Sequence, residues 1–230
     1  KKRQAVSGVD INLEQAWKTY GNGNHDTIVA MIDTGIDYTH EDLKDTLWVN
    51  TDEIPGNGID DDGNGYVDDV YGWNFYNNNN QIFTGEEDSH GTHGAGTISA
   101  GTGNGIGIAG IVPGNRVRVM ALKALGGTDG GGSTAAVIKA IRYAEDNGAV
   151  ICNLSLTSTV DDKALYEAMK NSGMLFVVAA GNGNPKTGKG VDTDVIPFYP
   201  AAYDLDNIIS VANLSFDGAL SASSNYGKTT

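Results

Sequence analysis

The sequence predicts an α/β fold: a doubly wound, mainly parallel sheet with helices on both faces. Two observations carry this. Apolar runs at TIVAMID (27–33), RVRVMALKAL (116–125), AVICNLSL (149–156), MLFVVAAG (174–181) and NIISVANL (207–214) read as strands buried on both faces. Between them lie stretches of helical period. Residues 133–146 carry Ala136, Val137, Ala140, Ile141 and Ala144 at helical spacing, and DDKALYEAMKNSG starts at Asp161 and reaches Gly173 as its C-cap. Strand, helix, strand in that order implies right-handed crossovers and parallel pairing. In such sheets ligands bind beyond the carboxyl ends of the strands, so chemistry is expected there.

Composition narrows the partners. The chain has 230 residues, 40% of them hydrophobic, with no Pro- or Ser-rich linker, so residues 1–230 are read as one domain. Fifteen Lys plus Arg stand against 29 Asp plus Glu, a net charge of -14, which would repel a phosphate backbone. Nucleic acid is therefore not expected as a partner. Cys152 has no second cysteine to pair with and lies in an apolar run, where a thiol behaves as a small core residue. No apolar run approaches the roughly 18 residues that cross a bilayer, so no membrane span is expected.

Polar residues mark the ends of three expected strands: Asp33 in AMIDTGID, Ser155 in NLSLTS and Asn182 in VVAAGNGN. Taken singly, each is ordinary turn chemistry. A fourth stretch, DSHGTHGAGTISA (88–100), places His90 and His93 three apart on an expected helix among glycines. Helical zinc pairs more often sit four apart beside a carboxylate and need a third ligand, for which only His25 and His40 remain among histidines. A helix packed tightly for structural reasons and a general base, a role imidazole suits because it titrates near neutral pH, both remain open.

In that order, DTG, HGTHGAGT and AAGN resemble the subtilisin-like serine protease family over about 12–230. The resemblance implies a subtilisin-like fold in which Asp33 and His90 are catalytic, Asn182 is the side-chain donor of the oxyanion hole, and His93 is a buried structural residue. It also implies a substrate cleft between Gly130, Gly131 and Gly132 on one side and Ser155 and Leu156 on the other, near Gly181. Phe198 matches the floor of the primary specificity pocket loosely, which would favour a small residue before the scissile bond.

DDDGNGYVDD (60–69) carries its own metal signal. Asp60, Asp62 and Asn64 alternate ahead of Gly65 as in the start of an EF-hand calcium loop, with Tyr66 where such loops offer a backbone carbonyl. The closing position is Tyr71, not Glu, which leaves Asp68 or Asp69 to complete the shell. Five Asp in such a stretch repel one another unless a cation sits among them. Segment 50–85 is thus expected to be an acidic, calcium-binding surface insertion. A second Ca2+ site is implied by the resemblance alone, with Asp42, Asn104 and the carbonyls of Ile106 and Ile108 as ligands.

The family's nucleophile sits in a Gly-Thr-Ser motif, and no such triplet occurs in the 230 residues. Ser89, Ser155, Ser221, Ser223 and Ser224 lie in other motifs, and Thr229 and Thr230 precede the helix that should bear the nucleophile. The domain is therefore expected to be C-terminally incomplete. Two functions follow as expectations. One is the larger part of a secreted or cell-surface, calcium-stabilised serine endopeptidase. Its partners would be a peptide or protein substrate, a pro-segment and the C-terminal segment with the serine. The other is an inactive subtilase-like domain that binds peptides or a protein in the same cleft.

Overall fold

A computed structural model describes residues 4–21, 23, 25–114 and 116–228; Thr229 and Thr230 lie outside them. Strands β1 (Thr27–Asp33), β2 (Gly72–Asn74) and β3 (Val117–Lys123) form one half of the main sheet. The other half is β6 (Ile151–Leu154), β7 (Leu175–Ala179) and β8 (Ile208–Val211). All neighbours pair in parallel, in the order β2-β3-β1-β6-β7-β8. The chain passes to one side of β1 for β3 and to the other for β6, so the strand order reverses at β1 and opens a crevice at its carboxyl end. A small antiparallel pair, β4 (Leu125–Gly126) and β5 (Gly131–Gly132), follows directly on β3. An amino-terminal helix, α1 (Leu13–Tyr20), buries none of its residues and is tied down by the Trp17 indole N–H, which donates to the Ile111 carbonyl at 2.9 Å.

Side-chain alternation along the strands separates two cores. Ala30, Ile32, Met120, Leu122, Cys152, Leu154, Phe176 and Val178 face helices α3 (Thr134–Asp146) and α4 (Lys163–Lys170). Val29, Met31, Val117, Val119 and Ala121 face the opposite way, toward Ala95 of helix α2 (Ser89–Ser99) and Ile36, Leu43 and Leu47 of the loop after β1. Both helical layers are present, as the apolar runs predict. Burial pushes the Cys152 thiol well above its ordinary pKa, consistent with a core residue.

Three expectations change. Of the five strands read as buried on both faces, only β1 and β3 are closed that way; β6 and β7 alternate, and on the edge strand β8 Ile209 and Val211 are each 49% exposed. The reason is that α2 covers β1 and β3, leaving the second face of β6, β7 and β8 open among the described residues. The helix expected to reach Gly173 ends at Lys170 on Asn171, and Gly173 instead donates its N–H to Glu145. The helix caps are otherwise local and readable: the Ser133 hydroxyl accepts from the Ala136 N–H, and the Asp162 carboxylate from Ala164 and Leu165. Within segment 50–85, read as an insertion, residues 72–74 are the sheet's edge strand, and Trp73 and Phe75 belong to the core.

β2 can pair with β3 only because of Gly72. Its φ is +129°, and a Cβ there would lie 1.9 Å from the Ala121 carbonyl oxygen. Gly148, after α3, also has positive φ (+80°), but a Cβ would meet nothing closer than 3.8 Å. Gly148→Ala is therefore expected to cost about 1–2 kcal/mol, the ordinary left-handed penalty. Gly72→Ala adds a backbone clash to that penalty and is expected to detach β2, with a loss in denaturant titration at least about 2 kcal/mol larger.

Candidate active site

The crevice at the end of β1 holds the pair that the motifs singled out. His90 Nδ1 lies 2.7 Å from Asp33 Oδ1, and the Thr34 N–H donates to the same oxygen at 2.7 Å. Asp33 is 1% exposed, whereas the His90 side chain is 61% exposed, so one partner is sheathed and the other faces solvent. With a carboxylate on Nδ1, that nitrogen carries the proton and Nε2 is left as the basic atom on the open side. Asp33 Oδ2 is buried without a hydrogen-bond partner.

Local sequence explains the approach. A Cβ on Gly91 would lie 2.2 Å from the Gly35 carbonyl oxygen, so only glycine lets α2 come this close to the end of β1. The Gly91 N–H uses that proximity to donate to the Thr34 hydroxyl at 3.1 Å. His93 does not share the buried side. It is exposed and lines a separate apolar cavity of about 370 Å³ with His40, Leu43, Phe83 and Ile108. The expectation of a buried His93 is corrected accordingly.

A cleft of about 530 Å³ opens beside His90. Thr34, Gly130, Gly131, Gly132, Ser155 and Leu156 line it, which brings both expected walls together. Gly181 and Asn182 are elsewhere: they line an adjoining cavity of about 330 Å³ that shares Ser155 with the cleft and reaches Val211 of β8. Asn182 is exposed at its lip. Sequence reasoning passed over Asn225, the residue that holds this loop. Its buried amide donates to the Ala180 carbonyl at 2.9 Å and accepts from Val191, and its backbone N–H donates to Gly181. A Cβ on Gly181 would strike that amide at 2.4 Å and approach Phe198 at 3.2 Å, so Phe198 packs under the loop.

Of the acidic loop residues, Asp60 and Asp62 come together with Glu53, each offering an oxygen within 4.8 Å of the others. Glu53 was not singled out from the sequence, since it precedes the motif by seven residues; it is 5% exposed and accepts backbone N–H bonds from Asp61, Asp62 and Asp68. Burial opposes ionisation of Asp62, but hydrogen bonds from Asn50 and Asn64 outweigh it and hold the carboxyl below its usual range. Asp68 turns away to accept the N–H groups of Asn57 and Gly58. Asp69 is fully buried between the Asn50 and Asn64 amides and the Tyr143 hydroxyl. The Tyr66 N–H donates to the Asn64 side chain at 2.8 Å, closing the turn, and its ring packs on Trp73, Phe75 and Tyr143. At the other loop, Asp42 accepts from the Asn104 amide at 2.7 Å and from the Ile108 N–H at 3.1 Å, and the Ile106 N–H donates to Asn104. No helix among the described residues is long and apolar enough to cross a membrane.

Similarity to known proteins extends over most of the chain. Over 200 residues the chain is 36% identical to subtilisin-like protease 1 of Plasmodium falciparum (isolate 3D7), which takes in 82% of this chain and 28% of that one. Over 203 residues it is 36% identical to the major intracellular serine protease of Bacillus subtilis (strain 168), covering 87% and 54%. It is 34% identical over 228 residues to the halolysin-like extracellular serine protease Nep of Natrialba magadii, covering 97% and 36%. The chain thus spans between about a quarter and about half the length of these relatives. Among solved structures, a psychrophilic subtilisin-like protease from Pseudoalteromonas sp. AS-11 matches 92% of the chain with a TM-score of 0.65 at 25% identity. Residues 24–230 match the model of the Subtilase family, and the chain belongs to that family.

Proposed function

We propose that this chain supplies the general base, its orienting carboxylate and an oxyanion donor of a serine endopeptidase. One observation carries the reading: an imidazole anchored through Nδ1 to a sheathed carboxylate, its other nitrogen open to a cleft with an edge strand on its rim. An extended peptide would pair with Gly131 and Gly132 on one side and with the chain at Ser155 on the other. His90 Nε2 would take the proton of an attacking serine hydroxyl and return it to the leaving amine, while Asp33 holds the tautomer and offsets the imidazolium charge. Asn182 would donate to the tetrahedral oxyanion, a contact worth about 3–4 kcal/mol in rate for a side-chain amide. The serine itself is proposed to lie on a segment packed over the open face of β7 and β8, where the cavity beside Asn182 and the apolar Ile209 and Val211 would receive it.

In the protein of full natural length, His90→Ala is expected to lower kcat/KM on a peptide substrate by about 10⁶ and Asp33→Asn by about 10⁴. His93→Ala, on an exposed side chain, should stay within about threefold of wild type. Peptide binding in the cleft without hydrolysis by the wild type would make the domain a binder.

Calcium belongs to the same proposal. Glu53, Asp60 and Asp62 form a hard oxygen donor set of the kind that suits Ca2+ and not softer metals, and Asn64, Tyr66, Asp68 or Asp69 would fill the remaining positions. Bound calcium would remove the mutual repulsion of the carboxylates and fix the strand-bearing segment 50–85 to the core. A weaker second site is proposed at Asp42 and Asn104 with the carbonyls of Ile106 and Ile108. Such loops suit the calcium levels found outside cells, which together with the likeness to the extracellular Nep supports an extracellular location. Calcium at about a hundred times its Kd is expected to raise unfolding free energy by about 2.7 kcal/mol, and Glu53→Gln to remove most of that gain. Calorimetry with and without chelator measures both; equal melting temperatures would rule the calcium reading out.

A further inference from the structure

Beneath the His90–Asp33 pair lies a buried charge that the reaction does not use. Lys123 ends β3, in register with Asp33 at the end of β1, and its side chain is 2% exposed. Its ammonium donates to the Thr34 backbone carbonyl and to Asp88 Oδ1. Asp88 is fully buried, two residues before His90, and its other oxygen accepts from the Thr84 N–H at 2.6 Å and hydroxyl at 2.9 Å. The Tyr76 ring lies 5.9 Å from the ammonium.

Burying this pair is a poor way to gain stability, since replacing a buried ion pair by uncharged side chains of similar volume is often neutral or favourable. What it does accomplish is geometric. One ammonium joins the backbone just after Asp33 to the residue that leads into the helix of His90, and it does so from the neighbouring strand β3. Pulling Thr34 and Asp88 onto a common donor fixes the separation of two chain segments far apart in sequence. The imidazole and carboxylate ride on those segments.

We infer that Asp88 and Lys123 are positioning residues that set the His90–Asp33 hydrogen bond by clamping the end of β1 to the start of α2. This rests on the protease reading for its consequence in rate, but its geometric content is measurable without catalysis. The probe is the low-field proton resonance of His90 Nδ1–H bonded to Asp33, observed by NMR in the full-length protein and assigned by its loss in His90→Ala.

Lys123→Met/Asp88→Asn removes both charges without enlarging either side chain and leaves no buried charge alone. The expected result is loss or a clear upfield shift of the resonance, with kcat lowered roughly 10- to 100-fold while KM stays within about twofold, as for a small misplacement of a reacting group. Thr84→Val, on an exposed side chain, keeps the question decidable should the double variant fail to fold. It removes one of the bonds that aim Asp88 and should shift or broaden the same resonance and lower kcat about threefold. An unaltered resonance and kcat in the folded double variant, or in Thr84→Val if the double variant does not fold, would overturn the inference, as would a wild type without the resonance. A wild type that shows the resonance but hydrolyses no peptide counts against the protease reading alone, and the NMR comparison then decides the clamp.

Discussion

The closeness of α2 to the carboxyl end of β1 is the constraint on which the rest of the site depends. Backbone meets backbone there, with Gly91 against Gly35 and no room for a Cβ between them. From that contact follow the reach of His90 to Asp33 and the bond from the Gly91 N–H to the Thr34 hydroxyl. Helix propensity is sacrificed for it: the helix SHGTHGAGTIS carries three glycines, each costing about 1 kcal/mol against alanine in a helix interior. Packing against β1 and β3 has to offset that cost, and Met31 and Val119 of those strands are buried in the core shared with Ala95 of α2.

Charge in this molecule is concentrated where it must be balanced locally. The net charge of -14 is not spread evenly; a dense part of it crowds into 60–69, where Asn50, Asn64, Tyr143 and backbone N–H groups share the carboxylates. The Tyr143 hydroxyl donates to Asp69 from α3, so the acidic loop is tied to the aromatic cluster of the core and not merely to the surface. Burial first, and then this bond, push the tyrosine far above its usual pKa, which keeps it a donor at any ordinary pH. A loop that holds so many carboxylates beside an edge strand gives a cation leverage over the sheet as well as over the loop.

Much of this was legible in residues near one another along the chain. The strands were readable because short apolar runs such as the one inside TIVAMID have one stable home, and the caps Ser133 and Asp162 act within three residues of their targets. Asp33 and His90 stood out together because DTG and HGTHGAGT, in that order, resemble the motifs of a known family. Less was legible at Glu53, Asn225, Asp88 and Lys123. Residue type and neighbours do not show what each one meets: Lys123 reaches Asp88, Glu53 the backbone of Asp61, Asp62 and Asp68, and Asn225 the Ala180 carbonyl.

The sequence by itself determined the main strands and helices, their parallel order and the acidic loop, because periodicity, capping and turn residues are properties of nearby residues; by resemblance it also pointed to His90 and Asp33 as a pair. Only the tertiary structure decided which carboxylates meet, which strands are covered twice, which histidine is exposed, and which lysine sits under the site. Those depend on Lys123 reaching Asp88 across 35 residues, Tyr143 reaching Asp69 across 74 and Asn225 reaching Ala180 across 45. Such pairings are set by how the whole chain excludes water from its interior, and no local pattern records them.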